Sequence, residues 1–541
     1  FDGPVLLRDG SVRTYIRRYN YKNFFRSSEL TADYSINISR LNATLLAGMS
    51  QEYNKYDQDY YIKYDLVDPS LGAIDAGMTN GTITGNYNEW AMRSYFGRLN
   101  LNWDNKYLLE ANLRADGSSK FAPGHRWGYF PSVSAGWRIS QEHFMEGAAS
   151  WLDHLKLRAS YGSLGNNATT SYYMYQSLFA TANYILNGNI AGGLAQTVLA
   201  NPNLTWEKTY MTNIGLDFAF LHNRLTGSVD IYNKDTKGIL ISLPAPLEHG
   251  TSIVPNRNAG EVNNKGFELD INWSDRIGRV TYNVGFNMGF VNNKVTKFQG
   301  DVSSISGVYK TQEGRPINQL YVITVDRIVR DQADLDYVQK LVDANPDYFA
   351  TYQRPELGDF LYRDANGDGT LDTDDRVEIG HGTLPRLTYG FSLGLEWNNF
   401  DFSVLLQGTG NHQVYYNNQA FRFVTVMGQS LIKDITDNAW TPENPYGSRY
   451  PILRNSANSR NNIASDAFVH NAAYLRCKNI QLGYNVPQKI TRRFYVENLK
   501  IYTSIDNLFT ITDFPGLDPE IGATVGYPAV RQYSIGLNIT F

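Results

Sequence analysis

The stretch SYFGRLNLNWDNKYLLEANLRAD, residues 94–116, reads as two strands around a turn. In its first half Tyr95, Leu99, Leu101 and Trp103 share one face, and Phe96, Arg98, Asn100 and Asn102 share the other. After Asp104-Asn105, Tyr107, Leu109, Ala111 and Leu113 oppose Glu110, Asn112, Arg114 and Asp116. A period of two is strand periodicity, because successive side chains of an extended chain point to opposite sides.

The same hairpin recurs. Ile214, Leu216, Phe218 and Phe220 precede a turn near His222-Asn223, and Leu225, Val229 and Ile231 follow it. Phe267, Leu269, Ile271 and Trp273 precede SDRIGR (274–279), and Val280, Tyr282, Val284, Phe286, Met288 and Phe290 follow. Leu387, Tyr389, Phe391, Leu393, Leu395 and Trp397 precede Asn398-Asn399, and Phe400, Phe402, Val404 and Leu406 follow. The turns are short and rich in Asn and Asp, as tight hairpins require. The chain ends on the same pattern: Tyr533, Ile535, Leu537, Ile539 and Phe541 alternate with Ser534, Gly536, Asn538 and Thr540.

Three features point to an antiparallel transmembrane β-barrel and away from a soluble sandwich. The strands are long enough to cross a bilayer at a tilt. Aromatics such as Trp103, Tyr107, Phe220, Trp273, Trp397 and Phe400 sit beside the short turns, where a barrel carries an interfacial girdle. Short turns alternate with long segments, 165–205, 236–262, 293–386 and 407–470, which are expected to be extracellular loops. The polar face is then the lumen: Asn102, Glu110, Asn112, Arg114 and Asp217 are expected to point inward. A solvated face of a large soluble β protein is the plainer alternative.

Composition agrees. Hydrophobic residues are 42% and charged residues 19%, which excludes a disordered chain, and a net charge of −4 gives no basic field for nucleic acid. No apolar run of about 18 residues exists to form a membrane helix. The single cysteine, Cys477, excludes an intrachain disulfide and reads as a packing residue. Enzymatic signals are weak. There is no G-x-S-x-G elbow and no H-E-x-x-H. Glu110 with Asp116, or Asp217 with Asp230, would suit a glycosidase pair in principle, but strand parity makes them polar lining.

Residues 364–375, DANGDGTLDTDD, carry a further pattern. Asp364, Asn366, Asp368, Thr370, Asp372 and Asp375 fall at positions one, three, five, seven, nine and twelve of an EF-hand-like loop, with Gly369 at six. A structural calcium ion is the expectation, with the shorter Asp375 in the place usually held by Glu, and flanking helices are not evident. The alternative is an Asx-rich turn whose side chains cap backbone amides.

Several segments resemble the SusC-type TonB-dependent transporters of Bacteroidetes outer membranes. They include LEANLRADGSSKFAPGHRWGYFPSVSAGWRISQEHFM (109–145), LKLRASYGSLGNN (155–167) and NPNLTWEKTYMTNIGLDFAFLHNRLTGSVDIYNKDTKGIL (201–240). NAGEVNNKGFELDINW (258–273), GDFLYRDANGDGTLDTDDRVEIGHGTLPRLTYGFS (358–392), AAYLRCKNIQLGYNVP (472–487) and LKIYTSIDNLFTIT (499–512) follow in the family's order. The resemblance implies an all-β outer-membrane barrel that imports oligomeric nutrients, glycans foremost and sometimes peptides. It also implies energy through TonB and a SusD-like surface lipoprotein as partner. Loop aromatics such as Tyr309, Tyr321, Tyr415, Tyr416, Phe421 and Phe423 would stack on cargo or the lid, or pack on one another. The residues Tyr533, Ile535, Leu537, Ile539 and Phe541 resemble the terminal signal read by barrel-assembly machinery. The accessory domain, TonB box and plug are not seen in residues 1–541. About 16 candidate strands stand against about 22 in plugged transporters, so the chain is expected to be the C-terminal barrel portion of a longer protein. An outer-membrane adhesin or structural barrel, or a soluble carbohydrate-binding β protein, is the alternative.

Overall fold

The computed structural model describes the chain except residues 1–4, 7–11, 69, 242–255, 299–302, 419–422, 424–430, 455–459 and 524–525. The chain divides into two compact units, Phe1–Trp137 with Ala159–Thr212 and Asp235–Glu261, and Arg138–Arg158 with Asn213–Lys234 and Val262–Phe541.

In the first unit an antiparallel ladder runs through β1 (Tyr15–Ile38), β2 (Leu41–Leu66), β3 (Gly77–Trp103), β4 (Tyr107–Ser118) and β5 (Trp127–Arg138). Its register runs from Ile38↔Leu41 through Leu41↔Trp103 to Trp103↔Tyr107 and Tyr107↔Trp137. Four strands, β6 (Leu152–Asn166), β7 (Glu207–Phe220), β8 (Leu225–Ile241) and β9 (Arg257–Ile277), contribute residues to both units. In the second unit β10 (Val280–Phe298), β11 (Leu387–Trp397), β12 (Phe400–Gly410), β13 (Tyr474–Asn485), β14 (Asn498–Asp506) and β15 (Gln532–Thr540) pair in that order, each antiparallel to the next.

The turns follow from local chemistry. Asp104, Asn105 and Asn398 take φ values of 55°, 55° and 51°, the left-handed region that Asn and Asp tolerate best after glycine. The expected turn SDRIGR is shorter than the sequence suggests: β9 continues through Ile277, and Gly278, at φ 59°, makes the bend. The expected loop 236–262 also shrinks, because β8 runs to Ile241 and β9 resumes at Arg257. β1, β2 and β3 span 24, 26 and 27 residues. A tilted strand needs only about 9–11 residues to cross the hydrocarbon, so these strands extend well beyond it.

Burial along the strands is inverted relative to a soluble protein. On β4, Leu109 and Leu113 are exposed, Leu113 by 56%, whereas Asp116 on the opposite face is only 8% exposed. Tyr129, Val133 and Trp137 of β5 repeat the outward apolar face. Aromatics gather at the turn ends within each unit. Trp103, Tyr107 and Trp137 are register partners in the first. In the second, Trp397 stacks on Phe400 at 6.3 Å, Phe400 meets Tyr484 at 4.7 Å, and Trp273 donates its indole N–H to Tyr282 at 3.2 Å. Cys477 is buried at a register shift between β12 and β13.

An apolar face turned outward is stable only against lipid. Leu113→Arg is therefore expected to destabilise the assembled protein in vesicles by about 2–4 kcal/mol, and Asn100→Arg on the opposite face by far less. Equal denaturant midpoints for the two variants would reverse the assignment of faces.

Candidate functional site

Several charges of the polar face are paired within it. In the first unit the Arg114 guanidinium donates to both Asp116 oxygens at 2.7 and 2.9 Å and to the Ser94 hydroxyl at 2.9 Å, and Asn112 donates to Glu110 at 2.8 Å. In the second, Arg158 on β6 donates to both oxygens of Asp217 on β7 at 2.9 Å and to Asp230 on β8 at 3.0 Å. Gly215 makes room for this bridge: a Cβ there would lie 2.4 Å from Asp230 Oδ1. A guanidinium joining two carboxylates balances both charges, whereas a glycosidase pair needs one carboxyl kept neutral. The parity of Lys156 and Arg158 was readable in LKLRAS, but the bond to Asp217, 59 residues away, was not.

The second unit carries a folded body between β10 and β13. Its elements include the helix α1 (Gln332–Ala344), capped by Asp331, whose side chain accepts from the Asp334 amide. Strands Val325–Ile328 and Phe360–Tyr362 pair, as do Gln413–Tyr415 and Val469–Asn471. The core is aromatic: Phe360, Tyr362, Tyr416, Phe423, Trp440, Phe468 and Phe514 are buried together. Tyr416 and Phe423 thus pack within the loops. Tyr309, Tyr321 and Tyr415 are half-buried, and Lys310 lies over the Tyr321 ring at 4.6 Å. Phe421 lies outside the described residues.

Asp359, 3% exposed, pins this body. It accepts from Arg454 at 2.8 and 3.0 Å, from the Asn461 amide side chain at 2.9 Å and from the Glu356 backbone at 3.0 Å. Arg460 is buried over the rings of Phe349 and Tyr362 at 5.7 and 5.8 Å, and burial pushes its guanidinium down to about 10. No sequence signal marked these contacts, because the partners lie about a hundred residues apart and outside any periodic segment.

In loop 364–375 the expected calcium ligands turn toward backbone amides. Asp364 accepts from Gly367 at 2.6 Å and Gly369 at 2.9 Å, and Asp375 accepts from Ala365 at 2.8 Å and Asp372 at 2.9 Å. Asn366 and Asp368 each cap the residue two positions on, and Asp372 caps Asp374. Gly369, at φ 82°, supplies the bend. Asp375 is fully buried, and burial, with Asp364 nearby, raises its carboxyl above the usual range against the lowering effect of its amide donors. Among the described residues no three His, Cys, Asp or Glu side chains are grouped so as to hold a metal ion. Thr370 is half-buried in the same turn, and a single-turn 3₁₀ helix, Thr373–Asp375, closes it. At the chain end Tyr533, Ile535, Leu537 and Ile539 form the exposed face of β15. Phe541, also exposed, follows the last paired residue, Thr540.

The comparisons with known proteins bear on what this arrangement serves. Residues 3–508 match the family model described as TonB dependent receptor-like, beta-barrel. The chain belongs to that family. It is 32% identical over 483 residues to TonB-dependent receptor P26 of Formosa agariphila, covering 86% of this chain and 47% of the relative. It is 30% identical over 460 residues to TonB-dependent receptor SusC of Bacteroides thetaiotaomicron, covering 83% and 43%. The RagAB peptide transporter is similar in structure, with a TM-score of 0.81 at 25% identity over 97% of this chain and 56% of that one. The chain spans about half the length of the curated relatives it matches. Its strands are those of a transmembrane β-barrel in the outer membrane, and the family comprises receptors and transporters. No described helix is long and apolar enough to cross a membrane.

Two histidines make the folded body sensitive to acid. His412 precedes the Gln413–Tyr415/Val469–Asn471 ladder and His470 lies within it opposite Val414, and burial pushes both imidazoles below their ordinary value of 6.5. The folded form therefore binds fewer protons than the unfolded one, and stability present above pH 6.5 is lost as pH falls through it. Lowering pH from about 7.5 to 5.5 is expected to reduce amide-exchange protection across this ladder once intrinsic rates are corrected. The Asp466 carboxyl, raised by burial, works in the opposite direction. His412→Asn with His470→Asn should remove the pH effect. An undiminished effect in that variant would clear both histidines of it.

Proposed function

We propose that this chain is the barrel portion of an active importer of oligomeric nutrients, driven through TonB and covered by a SusD-like lipoprotein. The observation that carries the reading is the identity of 30–32% to TonB-dependent receptors, SusC among them, over more than four fifths of the chain. The inverted burial of the strands supports it, as do the Arg114–Asp116 and Arg158–Asp217–Asp230 pairs, which balance part of the charge on a wetted lining. Glycans are the first cargo class on the sequence resemblance, and peptides the second on the likeness to the RagAB peptide transporter. An adhesin would share the barrel but would bind at the surface without import.

Deletion of the gene is expected to abolish uptake of the labelled cargo oligomer, and deletion of TonB should do the same while leaving surface binding intact. Parallel uptake assays with labelled oligosaccharides and oligopeptides identify the class. Uptake that persists without TonB would remove the active-importer reading.

A further inference from the structure

Between α1, the strand Val325–Ile328 and the start of loop 364–375 lies a half-open cleft of about 710 Å³. Tyr348 reaches it from beneath. Its ring belongs to the aromatic core and packs edge-on against Phe349 at 4.7 Å, leaving the residue only 6% exposed. Tyr348 lines the cleft, and its hydroxyl has no hydrogen-bond partner among the described residues.

The charges around it are uneven. Asp326 is balanced by Arg327 at 2.8 Å and Arg363 at 3.8 Å. Arg327 also reaches Asp334 at 3.4 Å and lies over the Tyr337 ring at 5.1 Å. Asp364 and Asp368, on the opposite wall, have no cationic partner among the described residues. They accept only uncharged N–H donors, those of Gly367 and Gly369 for Asp364, and those of Thr370 and Asn366 for Asp368. Burial and the nearby Asp364 carboxylate push the Tyr348 hydroxyl up to about 12, so it stays neutral in a negative field. Leu341, Ala344 and Leu361 supply an apolar stretch of the lining, beside Asn345.

We propose that this cleft binds a primary ammonium group, the chemistry of a lysine side chain or a peptide amino terminus. An ammonium carries three donors and no acceptor, which suits two carboxylates and a tyrosine oxygen. Tyr337, 42% exposed, offers a ring face for a cation–π contact, and the apolar stretch accommodates an alkyl stem, for which a bare metal ion has no use. The site is independent of the import reading, because binding is measured without transport.

The test is calorimetry on the full chain in detergent. N-acetyl-lysine amide presents only a side-chain ammonium, norleucine amide only an α-ammonium, and N-acetyl-norleucine amide neither. Saturable heat is expected from N-acetyl-lysine amide and none from the neutral analogue. Heat from norleucine amide alone would keep the ammonium site and assign it to an amino terminus. Tyr348→Phe keeps the ring in the core and should weaken binding about fivefold, and Asp368→Asn about tenfold, with unchanged melting temperatures. Equal binding of the neutral analogue, no binding of either amine, or affinities unmoved in both variants would overturn the proposal. So would saturable calcium binding that is lost in Asp364→Asn and Asp368→Asn, which would assign these carboxylates to a metal.

Discussion

Hydrocarbon offers no hydrogen bonds. Every backbone N–H and C=O that crosses it must be paired within the protein, and every charge must be turned away from lipid. The alternation of β4 and β5 answers both demands at once. The ladder pairs the backbone from Trp103↔Tyr107 onward, while Leu109, Leu113, Tyr129 and Val133 face outward. The opposite face then holds the charges, and several of these pair with one another. Arg158 serves Asp217 and Asp230 together, and Gly215 is without a side chain where one would strike that bridge. Ion pairs of this kind add little net stability, but breaking one would leave an uncompensated charge near a low-dielectric wall.

Beyond the bilayer the ordinary rules of soluble proteins return. The body between β10 and β13 buries Phe360, Tyr362, Phe423 and Phe468 as a core. It lacks the extended ladders of the strands, so single polar anchors carry its organisation. Asp359 draws residues 356, 454 and 461 to one point, which no continuous element joins. A network of that kind is worth more than its pairwise bonds, since each missing member leaves the others buried and unpaired.

This contrast also explains what could be read in the sequence. The hairpins around Asn105, His222 and Asn398 were legible because lipid on one side enforces a strict period of two, and because a left-handed turn admits few residue types. β1 and β2 were not, although they are among the longest strands. In YIRRYNYKNFFRSSEL (15–30) aromatics and charges fall on both faces, since a strand projecting past the membrane has no lipid-facing side to keep apolar. The helix α1 was hidden in a long segment expected to be loop, where mixed charge masks a short apolar stripe. The candidate residues of loop 364–375 were located by spacing alone, yet spacing does not reveal whether a carboxylate meets a cation or a backbone amide. The contacts of Asp364 and Asp375 to backbone amides depend on the folded turn.

The division between lining and loops limits where recognition can reside. On the polar face of the strands Arg114, Arg158, Asp116, Asp217 and Asp230 already spend their charges on one another. Within the loop body the deepest rings, Tyr416, Phe423 and Phe468, are spent on packing, and exposing one would open the core. Groups open on one side include the half-buried Tyr309, Tyr321 and Tyr415 and the exposed Tyr337, with the carboxylates beside them. Rigid support reduces the entropy a ligand must overcome on binding, which is why the packed core matters to the surface above it. These rings differ in the charges beside them. Tyr321 has its cation in Lys310 at 4.6 Å, and Tyr337 has Arg327 at 5.1 Å but also the open wall that carries Asp364 and Asp368.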